Sequence, residues 1–388
     1  MARVSDDQFG VYVHVPFCAS RCDYCDFATW TDRAHLIDDY VEACVVDIER
    51  RKLPPATSVF FGGGTPSLLE PELLARILDA IPRAPGAEVT VECNPDSVDR
   101  AKFDVYASAG VNRLSFGVQS MRAHVLASLG RTHDPANVDK AVAWARDAGF
   151  RRINLDLIYG SPGESVDDWR ATLDAALALE PSHVSAYALT VEPGTPLGRA
   201  VAAGERPAPD DDDQATKYEI ADDRLYAAGF HWYEISNWAL PGEECRHNLL
   251  YWDQGEYAGI GCAAHGHTEE VDGWGRRWWN LRTPDRYLAA VAAGDSTEAG
   301  DERLDPATRE AERLTLMLRT RGGIKLRGAN ADLSPMDACI DDLSGAGLLE
   351  TDGDRVVLTR RGRLLANDVV ARLLIALDQQ APSPAGTR

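Results

Sequence analysis

The sequence predicts an α/β fold: a partial (β/α)6-type barrel carrying a smaller, mainly helical C-terminal domain. Three observations predict it. Short β-branched runs alternate with amphipathic helical stretches through the first two-thirds of the chain, a pattern that gives right-handed crossovers and a parallel sheet covered by helices. Glycine or polar residues close one run after another, as at the ligand-bearing strand ends of parallel α/β folds. Composition then changes twice, near Trp238 and near Asp301.

Strands are expected at 11–15, 58–61, 88–92, 113–116, 152–157 and 183–187, with a further run at 231–235. Helices are expected at 32–51, 71–81, 98–109, 135–148, 165–179 and 210–228, the last opening on an acid-rich first turn at 210–213. About six such units suit a partial barrel better than a short open sheet. From 238 the pattern breaks into Gly- and Trp-rich segments. From 301 two or three helices precede paired runs at 347–351 and 355–359 around Asp352-Gly353, a hairpin signal. That helix–helix–hairpin order is winged-helix-like, but residues 301–388 hold 13 basic and 14 acidic residues, so no basic face is evident for nucleic acid. The expected division is an N-terminal extension (1–9), the barrel core (10–237), a connecting region (238–300), a C-terminal packing or lid domain (301–380) and a disordered Pro-rich tail (381–388).

Of the 388 residues, 45% are hydrophobic, enough for a sizeable core. The net charge of −21 repels phosphate backbones and anionic lipid, which argues against nucleic acid as a partner. Residues 1–10 lack a signal-peptide pattern, and no apolar run approaches the ~20 residues needed to span a bilayer. A soluble, cytoplasmic protein is expected. In that reducing setting, the tight group Cys18, Cys22 and Cys25 reads as a metal site rather than a disulfide framework. Cys44, Cys93, Cys245, Cys262 and Cys339 are scattered and read as small buried hydrophobes.

The three clustered cysteines follow the first strand as C-x3-C-x2-C, which lets soft thiolates converge on one inorganic centre. Structural zinc is the main alternative, with His14 as a conceivable fourth ligand. Zinc sites, however, usually show paired C-x2-C knuckles and a closed ligand set. A cubane on three thiolates leaves one iron open to an exchangeable molecule. Other strand ends carry matching polar groups: Gly62-Gly63-Gly64-Thr65-Pro66-Ser67, Glu92, Ser115 to Gln119, Asn154-Leu155-Asp156 and Tyr187-Ala188-Leu189-Thr190, with Arg131 close after the fourth strand. Each alone reads equally well as a cap or turn residue; together they point to one ligand site.

The cysteine motif, with an aromatic at Tyr24, resembles the signature of the radical S-adenosylmethionine superfamily. The wider segments resemble the family of oxygen-independent coproporphyrinogen III oxidase (HemN) and the HemW-type haem chaperones, well from about Phe9 to His267 and more loosely beyond. The resemblance implies a radical SAM barrel with a [4Fe-4S] cluster on Cys18, Cys22 and Cys25. It sets Tyr12, Tyr24, Gly63, Gly64, Thr65, Glu92, Gln119, Arg131, Asp156 and Ala188 around S-adenosylmethionine, and names no catalytic residue. The oxidases carry a further cysteine two positions after the third ligand; here that position is Phe27, as in the chaperone branch. His247-Asn248-Leu-Leu-Tyr251-Trp252 matches that branch's haem-associated H-N-x-x-Y-W motif. Apart from the resemblance, His247 offers an imidazole for haem iron on an exposed aromatic surface, and Arg246 offers a partner for a propionate. The competing reading has Asn248 cap a turn while Tyr251 and Trp252 join the core. Cys245 is a candidate second iron ligand. The run ending at His265 reads either as a lining of the substrate or haem cavity or as a structural turn. The resemblance further implies transfer of haem to an acceptor protein, such as a respiratory haem protein, and homodimers on loading. Radical oxidative decarboxylation of coproporphyrinogen III, or another radical reaction on a ring substrate, is the alternative activity.

Overall fold

In the computed structural model, which describes residues 8–131, 133–325, 327–328, 331–332, 336–353 and 355–378, strand β1 (Phe9–Val15) sets the pattern for the whole barrel. Side chains of a strand alternate between faces. Val11, Val13 and Val15 are buried in the main apolar core, while Gly10, Tyr12 and His14 turn to the barrel interior. The expected tail at 381–388 and residues 1–7 of the expected extension lie outside the described residues.

Five strands follow in parallel order: β2 (Ala56–Gly63), β3 (Arg83–Cys93), β4 (Arg113–Gln119), β5 (Arg152–Tyr159) and β6 (His183–Ala188). Between them run α1 (Ile37–Arg51), α2 (Pro71–Ala80), α3 (Arg100–Ala109), α4 (Ala123–Ser128), α5 (Pro135–Asp147) and α6 (Val166–Ala178). After β6 come α7 (Pro196–Ala202) and α8 (Asp211–Ala227). The run expected at 231–235 forms β7 (His231–Glu234), which turns back on β8 (Asn237–Ala239); β8 pairs antiparallel with β6.

Residues 238–300, expected as a connecting region, extend the same sheet on its other flank. A short helix α9 (Arg246–Trp252) leads to β9 (Glu256–Ile260), parallel to β1, and then to β10 (His265–Glu269) and β11 (Gly275–Asn280). Helix α10 (Pro284–Ala293) precedes β12 (Glu298–Leu304), which closes a 12-stranded sheet and crosses the boundary expected at 301. Glycine hides these strands in the sequence because the packing needs it. A side chain at Gly266 would run into the Trp278 indole on the neighbouring strand.

The C-terminal part has its own core, built from Leu314, Ile340, Val356, Val369 and their neighbours. It comprises α11 (Pro306–Met317), β13 (Ile324–Lys325), a ribbon of β14 (Arg327–Gly328) and β15 (Ala331–Asp332), α12 (Asp337–Gly345), β16 (Leu349–Asp352), β17 (Arg355–Leu358), α13 (Arg360–Leu364) and α14 (Ala366–Asp378). The expected hairpin is the β16–β17 pair, and β13 completes its three-stranded sheet. Among the described residues, no helix is long and apolar enough to cross a membrane.

Helix α9 positions the rest of the interior. Gly10, Ser58 and Glu88 share one registered layer, near the starts of β1 and β2 and midway along β3. On that layer His247 and Leu250 rest against Gly10, His247 bonds Ser58, and Cys245 Sγ lies 3.5 Å from Glu88 Oε1. The helix thus plugs the barrel from its N-terminal end. The layer His14–Gly62 lies four residues further along, about 13 Å at the usual strand rise.

Candidate functional site

The loop after β1 carries Cys18, Cys22 and Cys25, all free thiols and all half-buried. Backbone bonds pin it: Cys18 N–H donates to Trp30 O, Trp30 N–H to Pro16 O, and Asp23 N–H to Leu129 O. The end of β2 lies directly alongside. Gly64 N–H donates to Val15 O at 2.8 Å and Thr65 N–H to Phe17 O at 2.9 Å. A Cβ on Gly64 would sit 2.8 Å from Val15 O and 3.1 Å from Cys18 Sγ, so only glycine lets the two segments close up. Gly63 adopts φ +109°, and a side chain there would meet the His14 ring.

The Thr65 hydroxyl donates to Cys18 Sγ at 3.6 Å, and the Arg131 guanidinium reaches Cys22 Sγ at 3.7 Å while donating to Gly117 O at 2.6 Å. Burial raises the Cys18 and Cys25 pKa values; the Thr65 hydroxyl and Arg131 oppose it at Cys18. Donors aimed at sulfur suit thiolate ligands in this loop. Among the described residues, no three His, Cys, Asp or Glu side chains are grouped to hold a single metal ion. A cubane asks for a different arrangement, because each thiolate takes a different iron.

Next to the loop, a cavity of about 230 Å³ runs into the barrel, lined among others by Tyr12, Phe60, Gly63, Glu92 and Asp156. Gly63 N–H donates to Glu92 Oε2 at 3.2 Å. Desolvation, and then the Asp156 charge, push the Glu92 pKa up to about 8. Asp156 accepts from the Ser115 hydroxyl at 2.7 Å and from Asn154 Nδ2 at 2.9 Å, and burial raises its pKa too. Tyr12 stacks on Phe60 and its hydroxyl meets His14 Nδ1 at 3.1 Å. Tyr24 packs against the small apolar cluster of Leu129, Ile158, Leu189 and Leu197. Gln119 ends β4 at φ +63°, and Ala188 ends β6 exposed.

Sequence reasoning missed part of this wall. Arg113, His183 and Ser185 line the same cavity, and His183 Nδ1 meets Asn154 Oδ1 at 2.6 Å. The signal was available: polar residues at every second position, as in Arg113-x-Ser115 and His183-x-Ser185, mark a strand face turned to a polar interior.

The four residues expected at a haem surface divide. His247 is fully buried rather than exposed. Its Nδ1 meets Ser58 Oγ at 2.9 Å, its Nε2 meets Tyr251 Oη at 2.8 Å, and its ring stacks on Phe60. Burial lowers its pKa to about 3. Asn248 sits within α9 rather than at a turn and lines the 230 Å³ cavity. Tyr251 and Trp252 are half-buried. Tyr251 lines a second cavity of about 460 Å³ with Tyr12, His14, Phe27, Tyr257 and His265. Cys245 is fully buried beside Glu88 and lines neither cavity. The tryptophan-rich stretch is strand β11, where Arg276 and Arg277 pair with acidic residues of β12 and α11.

Comparison with known proteins agrees with this geometry. The family model of the radical SAM superfamily matches residues 12–176. The protein named heme chaperone HemW of Mycobacterium tuberculosis is 46% identical over 96% of this chain and 97% of its own length. The protein of the same name from Escherichia coli is 38% identical over 74% of this chain and 79% of its own. The E. coli coproporphyrinogen III oxidase HemN, described as a radical SAM enzyme, shares the fold with a TM-score of 0.81 at 21% identity, over 96% of this chain and 91% of that one. With one relative 46% identical along nearly its full length and another 38% identical over about three-quarters of this chain, the chain belongs to the HemW family within the radical SAM superfamily.

Proposed function

We propose that the protein is a haem chaperone, which takes up haem as cargo and hands it to an acceptor protein. The observation that carries the reading is the 460 Å³ cavity beside the cysteine loop. Its size falls in the range of about 300–1,000 Å³ usual for small-molecule sites. Tyr251, Tyr257 and Phe27 give it aromatic walls, and Phe27 is 66% exposed where the oxidase branch has a further cysteine. Aromatic faces suit a flat macrocycle.

In this reading Cys18, Cys22 and Cys25 hold a [4Fe-4S] cluster, with Thr65 and Arg131 donating toward the sulfurs. Such a cluster supplies an open iron for the amino and carboxylate groups of S-adenosylmethionine. Tyr12, Tyr24, Gly63, Gly64, Glu92, Gln119, Asp156 and Ala188 wall the cofactor's remaining parts. Glu92 is the group that accepts from ribose hydroxyls, and the Gly63–Gly64 backbone admits the cofactor without obstruction. The reading sets the protein in the cytoplasm, where the thiols stay reduced, with a respiratory haem protein as acceptor and a homodimer on loading.

Anaerobic reconstitution followed by iron analysis and hemin titration tests this. The wild-type protein is expected to gain iron and sulfide and to shift the hemin Soret band. A variant with all three cysteines changed to Ala is expected to lose the iron. Haem should then pass to an apo-haem protein. Conversion of coproporphyrinogen III to protoporphyrinogen in the presence of S-adenosylmethionine and a reductant would replace the reading with the oxidase activity.

A further inference from the structure

We infer that the haem iron is taken by His265 at the start of β10, with Arg282 as the propionate partner, and that His247 acts only by positioning Tyr251. The inference rests on the haem-carrier reading and names its seat.

Four histidines stand around the two cavities, and only one has a free ring. Both nitrogens of His183 are engaged, with Asn154 Oδ1 at 2.6 Å and Tyr233 Oη at 2.8 Å. Both nitrogens of His14 are engaged, Nδ1 with Tyr12 Oη at 3.1 Å and Nε2 with Ala28 O at 2.9 Å. Both nitrogens of His247 are engaged, and none of its surface reaches solvent. Ligation by His247 would leave the Tyr251 or Ser58 hydroxyl without its partner and would require α9 to lift off Gly10. His265 lines the 460 Å³ cavity, is exposed, and has no hydrogen-bonded partner among the described residues. Desolvation in the cavity wall and the Arg277 charge lower its pKa, which keeps the imidazole neutral with a lone pair for iron.

The mounting is rigid. His265 pairs in register with Trp279 on β11, and the two rings lie 6.3 Å apart. The backbone of His265 closes directly on Gly259 of β9, where a side chain would not fit. A ligand on a fixed strand beside an aromatic face is a defined seat for a macrocycle. Arg282 lines the same cavity, is exposed, and has no carboxylate partner among the described residues. A free guanidinium is the side chain best suited to a carboxylate tail. Open access on this side also suits a carrier, since cargo on an exposed ligand leaves without unfolding a helix.

Hemin titration of the full-length protein separates the alternatives, with absorption and resonance Raman spectra reporting the axial ligand. His265→Ala is expected to weaken binding on the order of tenfold or more and to abolish the histidine-ligated Soret position. Added imidazole should restore that position. Arg282→Ala should weaken binding while keeping the ligand signature. His247→Gln, which retains hydrogen-bonding groups, should also keep the signature. His265→Ala with wild-type affinity and spectrum overturns the inference, as does loss of histidine ligation in His247→Gln with an unchanged circular dichroism spectrum. A wild-type protein that leaves the hemin spectrum unmoved removes the haem-carrier reading itself, a distinct result.

Discussion

Glu92 shows how a site residue writes itself into the pH dependence of the empty protein. Its pKa is pushed up to about 8 by desolvation and the Asp156 charge, against about 4.3 for an unfolded chain. Glu234 is likewise raised to about 8 by burial. Between these two values the folded state holds protons that the unfolded state has released. Stability therefore falls as pH rises from about 4.3 to about 8 and is flat for these groups outside that window. Glu92→Gln is expected to make the decline shallower, leaving the Glu234 share. Urea unfolding midpoints at pH 5 and pH 8 measure it, and an unchanged difference between the two would refute the assignment. At this scale, residues that close strands were the legible part of the site. Cys18, Thr65 and Glu92 lie together because parallel strands deliver their ends to one side. The burial of His247 was not legible. A spacing of four residues puts His247 and Tyr251 on one helix face but does not say which way that face looks, and here it looks into the barrel.

Among the elements, α6 shows how local chemistry fixes a boundary. The Ser165 hydroxyl accepts from Asp168 N–H at 3.1 Å, and Asp168 Oδ2 accepts from Ser165 N–H at 3.1 Å, a reciprocal capping box. The Ser165 hydroxyl, with Arg122 also bonded, holds the Asp168 pKa down to about 2. Ser165→Ala should cost about 1 kcal/mol and Ser165→Gly only a few tenths, because glycine tolerates the N-cap backbone. Denaturant titration of both variants checks the order; equal losses would show that the cap is idle. Helices of this kind were legible at 165–179 because the cap and the apolar period coincide, and the structure has Val166–Ala178. Helix α9 and strands β9 to β12 were not legible. Seven residues are too few to display a helical period, and glycines that admit indole rings dilute the alternation of a strand.

At the scale of the whole molecule, two apolar cores meet through a charged bridge as well as through apolar contacts, with Leu364 packed against the first core and Ile235 against the second. The main core ends with residues such as Tyr287 and Val291, and the second begins at Leu314. Arg363 of α13 reaches across to α8. It makes two bonds to Asp222, at 2.7 and 3.0 Å, and a third to the Tyr218 hydroxyl at 3.1 Å. Its guanidinium also lies 4.4 Å from the centre of the Trp232 ring. The pair is well covered, with side-chain exposures of 5% and 14%. Burial alone would raise the Asp222 pKa, yet the Arg363 bonds hold it below its ordinary value. Removing the Arg363 cation leaves Asp222 to the Trp238 indole N–H and to Arg360, 3.5 Å away, so the loss should fall at or below the about 3–5 kcal/mol that breaking a buried pair from one side costs. Arg363→Met is therefore expected to uncouple the two cores. Calorimetry should show an early transition for the C-terminal part, and limited proteolysis should release it first. Arg363→Lys keeps the charge but loses the two-pronged bond, so its effect should lie between. A single transition at the wild-type midpoint in Arg363→Met would mean that the cores are held together by something other than this bridge.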